Sequence, residues 1–177
     1  GRSYHAMGEY SRAVSIFQFL LKKDPSSGSG NFFLGRTYLS LGLPGRAVSH
    51  FEAVRRNKNS PFHFHSLTLL ALTYLKLKDT DKAVSCFEEA LHMAPDDPRL
   101  YNGYLNTLLV KAIKLYTSEQ FGESMQIFEF LARKRSDSIL PHLYLARIGR
   151  LTGDNALALL HYDKAAELAP DDTFIKL

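Results

Sequence analysis

The sequence predicts an all-α chain built from tandem helix pairs, and three observations predict it. A small residue followed four positions later by an aromatic recurs as Ala13/Phe17, Ala47/Phe51, Ala83/Phe87, Ser124/Phe128 and Ala158/Tyr162, with steps of 34, 36, 41 and 34 residues. Each anchor lies in a segment whose apolar positions fall three and four apart, the spacing of one helix face, and a second such segment precedes it. Pro25, Pro95 and Pro170 stand just beyond anchored segments, where a residue lacking an amide hydrogen cannot continue a helix. At 177 residues and a 34-residue step, the chain has room for five units.

Unit 1, residues 1–27, is expected to begin partway along its first helix and to carry the anchored helix GEYSRAVSIFQFLLKKDP. The Ser26-Ser27-Gly28-Ser29-Gly30 stretch reads as a linker between units, where flexibility is tolerated. Unit 2, residues 28–61, pairs NFFLGRTYLSLG, with Leu34, Gly35 and Tyr38 on one stripe, with GLPGRAVSHFEAVRRN. Asn59 stands where proline is expected, Pro61 is displaced, and the 36-residue step implies a loop longer by two around residues 57–62. Unit 3, residues 62–97, places Leu67, Leu70, Ala71 and Tyr74 on a first helix ahead of KDTDKAVSCFEEALHMAP. Asp97 before Pro98 reads as an N-cap with proline at the first helical position, and it opens unit 4, residues 98–138. The 41-residue step adds seven residues there, about two helical turns, so an elongated first helix is expected. Unit 5, residues 139–172, has Leu145 and Ala146 on its first helix and Gly149 where tyrosine is expected, which should leave a small gap in packing. Small residues such as Gly35, Ala71 and Ala146 let the following helix approach closely. Residues 173–177 read as the start of a further helix. With no polar capping element at either end, the chain reads as one array cut from a longer protein.

Composition narrows function by exclusion. Hydrophobic residues make up 45% and charged residues 23%, values of an ordinary folded chain. The net charge of +4 is far below that usual for a protein that lives on nucleic acid. A single cysteine, Cys86, permits neither an intrachain disulfide nor a four-cysteine zinc site, and it reads as a semi-buried small hydrophobe. No apolar run approaches the ~18 residues of a membrane span, and Gly1-Arg2-Ser3-Tyr4-His5 does not look like a signal peptide, so a cytoplasmic location is favoured.

Little in the sequence argues for chemistry. Gly28, Gly30 and Gly35 lack the spacing and the preceding strand of a nucleotide loop. His63 and His65 have no visible third ligand and read as surface residues. Asp96-Asp97 and Asp171-Asp172 sit beside helix starts, where capping and the helix dipole explain them. No enzyme, cofactor or metal site is expected. Lys22-Lys23, Arg55-Arg56 and Arg133-Lys134-Arg135 close second helices, where cations suit the C-terminal end of the dipole. Stacked units could align them into a basic edge, but aromatic residues do not interleave with them, so nucleic-acid binding is disfavoured.

The chain resembles the tetratricopeptide repeat family, whose 34-residue unit carries a W-x2-L-G-x2-Y pattern followed by Gly, Ala, an aromatic and Pro. Leu34-Gly35, Tyr38, Gly42, Ala47 and Phe51 carry it in unit 2, and Leu70-Ala71, Tyr74, Ala83, Phe87, Ala90 and Pro95 in unit 3. The resemblance implies a right-handed superhelical solenoid whose first helices line a concave groove for an extended or helical peptide. It places in that groove Phe32, Arg36 and Leu39 of unit 2, and His65, Leu72, Leu75 and Lys76 of unit 3. Asn102, Asn106 and Leu109 follow in unit 4, and Leu143, Arg147 and Arg150 in unit 5. Across the twenty groove positions of those four units five are Lys or Arg and none is acidic, which points to an acidic, partly apolar partner segment. The clamp by which chaperone-binding members grip a C-terminal carboxylate is absent, since Phe32, Arg36 and Leu69 occupy its positions. The function expected is a non-enzymatic protein-interaction scaffold in a larger assembly, with end-to-end self-association as a further expectation. The alternatives are a spacer within a multidomain protein or an RNA-binding repeat.

Overall fold

The computed structural model describes residues 2–170, with the side chains of residues 8–170. Among them are nine helices and no strand: α1 Arg2–Lys23, α2 Gly28–Ser40, α3 Pro44–Arg56, α4 His63–Lys76, α5 Thr80–Met93, α6 Pro98–Thr117, α7 Phe121–Lys134, α8 Ile139–Thr152 and α9 Asn155–Leu168. The further helix expected over residues 173–177, and the Asp171-Asp172 pair, lie outside the described residues. Two compact units divide the chain, residues 1–104 and 105–177, with the boundary inside α6.

In the first unit α2 packs on α3 and α4 on α5, while α1 meets α2 and α3 meets α4, so each helix serves its neighbours in sequence. The anchor aromatics set the distances. A Cβ on Gly35 would stand 2.8 Å from the Phe51 ring, and one on Gly103 would stand 2.9 Å from the Phe87 ring, so each glycine is the seat of an aromatic. Around them Leu34, Leu67, Leu70, Ala71, Ala83 and Ala90 complete a continuous core. The connection from α3 to α4 has six residues, against four between α1 and α2 and between α5 and α6, as the 36-residue step implies.

In the second unit Leu105, Leu108, Ala112, Phe128, Leu131, Leu145, Ala146 and Ile148 are buried. Ser124 Oγ donates to the Ala112 carbonyl at 2.9 Å and ties α7 to α6, and Phe128 stacks on Tyr144 at 4.7 Å. The α6 helix has 20 residues where α2, α4 and α8 have 13 or 14.

Several expectations change. No break separates a first-helix remnant from the anchored helix: Arg2–Lys23 form one continuous helix, and Gly8 alone does not interrupt it. Gly28, Ser29 and Gly30 are not a linker: they form the first turn of α2, whose N-cap Ser27 accepts from the Gly30 amide at 3.2 Å. Gly149 leaves no gap. A Cβ there would come within 2.7 Å of the Ala158 nitrogen and 2.9 Å of the Asp154 carbonyl, so the start of α9 fills the space that tyrosine would take. Cys86 is fully buried, and burial pushes its thiol up to about 11.

Candidate functional site

Helices α2, α4, α5 and the start of α6 line an open cavity of about 530 Å³. Phe32 and Arg36 come from α2, Phe64, His65, Thr68, Leu69 and Leu72 from α4, and Phe87 from α5. Asp97, Arg99, Leu100 and Gly103 close the opposite side at the start of α6. Local sequence explains the placement. Leu69 and Leu72 are three apart on one face of α4, and Phe32 and Arg36 are four apart on α2. Asp97 Oδ1 accepts from the Arg99 and Leu100 amides at 2.8 and 3.3 Å, fixing where α6 starts.

Phe32 is the hub of an aromatic cluster, stacked on Phe62 at 4.7 Å, edge-on to Phe33 and Phe51 at 5.4 and 6.2 Å, and 6.5 Å from the His65 ring. It is only 6% exposed, so it forms the floor of the cavity rather than a free surface. The Arg36 guanidinium lies over the Phe32 and Phe33 rings at 5.7 and 6.0 Å. Of the thirteen groove residues expected from sequence, this cavity gathers Phe32, Arg36, His65 and Leu72; Leu39, Leu75, Lys76 and Asn102 do not line it. Leu39 and Leu75 are partly buried against the core.

In the second unit Leu109 and Leu143 are half-buried, and Arg147 and Arg150 are exposed, with Arg147 5.7 Å from the Tyr144 ring centre. Asn106 accepts from an Arg135 nitrogen at 2.8 Å. A smaller cavity of about 220 Å³ there is lined by Glu129, Ala132, Arg133, His142, His161 and Lys164, none of them among the expected groove residues and only Arg133 part of an expected basic run.

The lining residues of the larger cavity that are not among those thirteen are Phe64, Thr68, Leu69, Phe87, Asp97, Arg99, Leu100 and Gly103. Phe87 was legible only as a core anchor, and the added residues of unit 4 blurred the frame of α6. A signal did exist: Leu100 and Gly103 stand three apart on the face that receives Phe87, as the small residue Gly35 receives Phe51.

The basic edge does not form as a free patch at Arg55. Its Nε donates to Glu89 at 2.7 Å, with Glu52 3.4 Å away, and Glu52 accepts from the Tyr74 hydroxyl at 2.9 Å. Burial, the largest single influence, opposes the Arg55 charge, but the bond to Glu89 together with the negative charges around it, those of Glu89 and Glu52 among them, raises the guanidinium above its ordinary value; burial followed by the bond to Glu52 raises the Tyr74 phenol. His63, expected at the surface, is buried with Nε2 3.6 Å from Glu89, because it opens α4 on the side facing α5. Among the described residues no three His, Cys, Asp or Glu side chains gather as a metal site, and no described helix is long and apolar enough to cross a membrane.

Residues 1–63, 34–98 and 68–111 match a family model described as tetratricopeptide repeat. The human protein O-mannosyl-transferase TMTC1 is 21% identical over 176 residues, which is 99% of this chain and 19% of that protein. The chain therefore spans about a fifth of the length of that curated relative. Among solved structures, MamA from AMB-1 superposes with a TM-score of 0.59 at 23% identity, covering 96% of this chain and 88% of that one. YrrB, described as a TPR protein with an unusual peptide-binding site, gives 0.56 at 16% identity, with coverages of 99% and 86%. At these identities the likeness shows the fold.

Proposed function

Because the chain belongs to the tetratricopeptide repeat family, we propose that it is a non-enzymatic scaffold that binds a partner protein through the exposed face of its first helices. The observation that carries this reading is the cavity among α2, α4 and α6, apolar within and flanked by Arg36 and Arg99. Such a surface suits an acidic, partly apolar segment, since burying Leu72 and pairing a guanidinium with a carboxylate both favour association. The peptide-binding site named for YrrB supports the same reading. On the second unit, Leu143, Arg147 and Arg150 of α8 are the proposed contact face. Affinity capture from the source cell tests this: Arg36→Glu with Arg147→Glu should release partners that the unaltered protein retains. Retention of every partner would support a spacer.

That second reading has its own observation, because the chain matches one fifth of a larger protein. In it the array sets the distance between flanking parts, and the transferase activity named for TMTC1 is not assigned to these residues. End-to-end association would draw on exposed apolar side chains, Ile16 and Phe19 on α1 and Leu159 and Leu160 on α9. Sedimentation of Phe19→Glu with Leu159→Glu against the unaltered chain checks it, with dissociation of an oligomer as the expected result.

A further inference from the structure

A partner segment lying across α2, α4 and α6 meets a cavity with an unusual lining. The rings of Phe32, Phe64 and Phe87 border it, with Leu69, Leu72 and Leu100 between them. Water in such a space finds few polar partners, so an apolar occupant is favoured over solvent. Aromatic rings attract a further ring edge-on or offset at centroid separations of ~4.5–7 Å, and the contacts already made around Phe32 lie between 4.7 and 6.5 Å. Another ring would extend that cluster outward.

Charge sets what flanks the ring. The Arg36 guanidinium carbon lies 5.7 and 6.0 Å from the Phe32 and Phe33 ring centres and the residue is exposed, so its N–H groups are open to a carboxylate. Arg99 stands on the α6 side of the same cavity. Among the described residues no carboxylate pairs with either of them, whereas Arg12, Arg55 and Lys82 each have an acidic partner within 3.2 Å. Asp97, the one acid of the lining, has Oδ1 committed to the α6 amides.

We propose that the occupant is a segment of a partner protein that seats an aromatic side chain in this cavity and carries carboxylates on both sides of it, toward Arg36 and Arg99. The proposal rests on the scaffold reading and narrows it. With neighbouring helices ~10 Å apart and extended chain rising ~3.3 Å per residue, the distance from α2 across α4 to α6 takes about six residues.

Selection of a random heptapeptide library on phage tests this, with the full chain and its Arg36→Glu/Arg99→Glu and Leu72→Lys variants as baits. All three changes fall on exposed positions, and circular dichroism confirms that the baits share one helical content. The expected result is enrichment of an aromatic residue between acidic ones. A synthetic peptide of the enriched sequence should bind each variant about tenfold more weakly, and lose as much when its aromatic becomes alanine. Enriched peptides that lack the aromatic or the acids, yet still bind the variants less well, overturn this proposal and leave the scaffold reading standing. If nothing is enriched, or binding ignores all the substitutions, both fall.

Discussion

His142 and His161 show how much one residue pair can decide. Their Nδ1 atoms lie 2.9 Å apart and both rings are buried, so one Nδ1–H donates while the other accepts, and the two imidazoles hold opposite tautomers. Burial, then the charges of His142 and Lys164, lower His161 from 6.5 to about 4; burial and Lys164 lower His142 as well. Arg133 and Glu129 of α7 face the same cavity. A depressed value means that the unfolded chain binds the proton first. The pair therefore stabilises the fold fully above the ordinary histidine value and loses that contribution as pH falls toward about 4. Urea unfolding at pH 7 and pH 4.5 should show a loss on the order of 2 kcal/mol beyond that of His142→Leu/His161→Leu, in which the pair cannot titrate. Gly149 is the second such residue. Gly149→Ala drives a methyl into the backbone of Ala158 and Asp154 and should destabilise by ~2–4 kcal/mol in the same assay. By contrast, Gly122→Ala meets nothing within 4 Å and should stabilise by up to ~1 kcal/mol.

Among the elements, the turns between paired helices follow one rule with two chemistries. Gly42, Lys78, Glu119 and Gly153 each stand five residues before the small anchor residue, and all four have positive φ, between 58° and 81°. In three of them the next amide reaches back to the helix: Leu43 to the Tyr38 carbonyl, Asp79 to Tyr74 and Gln120 to Leu115, each at 2.9 Å. Glycine holds this backbone without a Cβ penalty, whereas Lys78 and Glu119 hold it under strain. Lys78→Gly and Glu119→Gly should each raise stability by ~0.5–1 kcal/mol, and Gly42→Ala should lower it by ~1–2 kcal/mol, read from thermal unfolding. The repeat legible in the sequence locates these turns, since the offset from the anchor is constant. That the same left-handed geometry persists at Lys78 and Glu119 was not legible, because lysine and glutamate carry no turn signal.

At the scale of the whole molecule, packing within each unit runs mainly between helices adjacent in sequence, with α2 also touching α4, so stability should be largely a sum of local terms rather than one cooperative block. Hydrogen exchange on Gly149→Ala should therefore show lost protection in α8 and α9 with α2 to α5 little changed. Uniform loss over the chain would contradict it. Phe51→Ala is the reciprocal case. It empties the seat on Gly35 and should destabilise by ~3–5 kcal/mol, with lost protection centred on α2 and α3.

The sequence by itself determined that the protein is all-α, that it belongs to a repeat family, and which helices carry the anchors. Those features follow from spacing along the chain, and spacing of three, four and 34 survives any choice of packing partner. Tertiary structure alone decided what those helices enclose. It joined Phe64, Phe87, Leu100 and Gly103 into one cavity, turned Gly149 from a supposed gap into a close contact, and brought two distant histidines to 2.9 Å. It also drew Arg55 out of a basic run and into a pair with Glu89, 34 positions away. The reason is physical: periodicity fixes which face of a helix is buried, while the identity of the atoms across the interface depends on the register between two helices. That register is set by side-chain volumes from both.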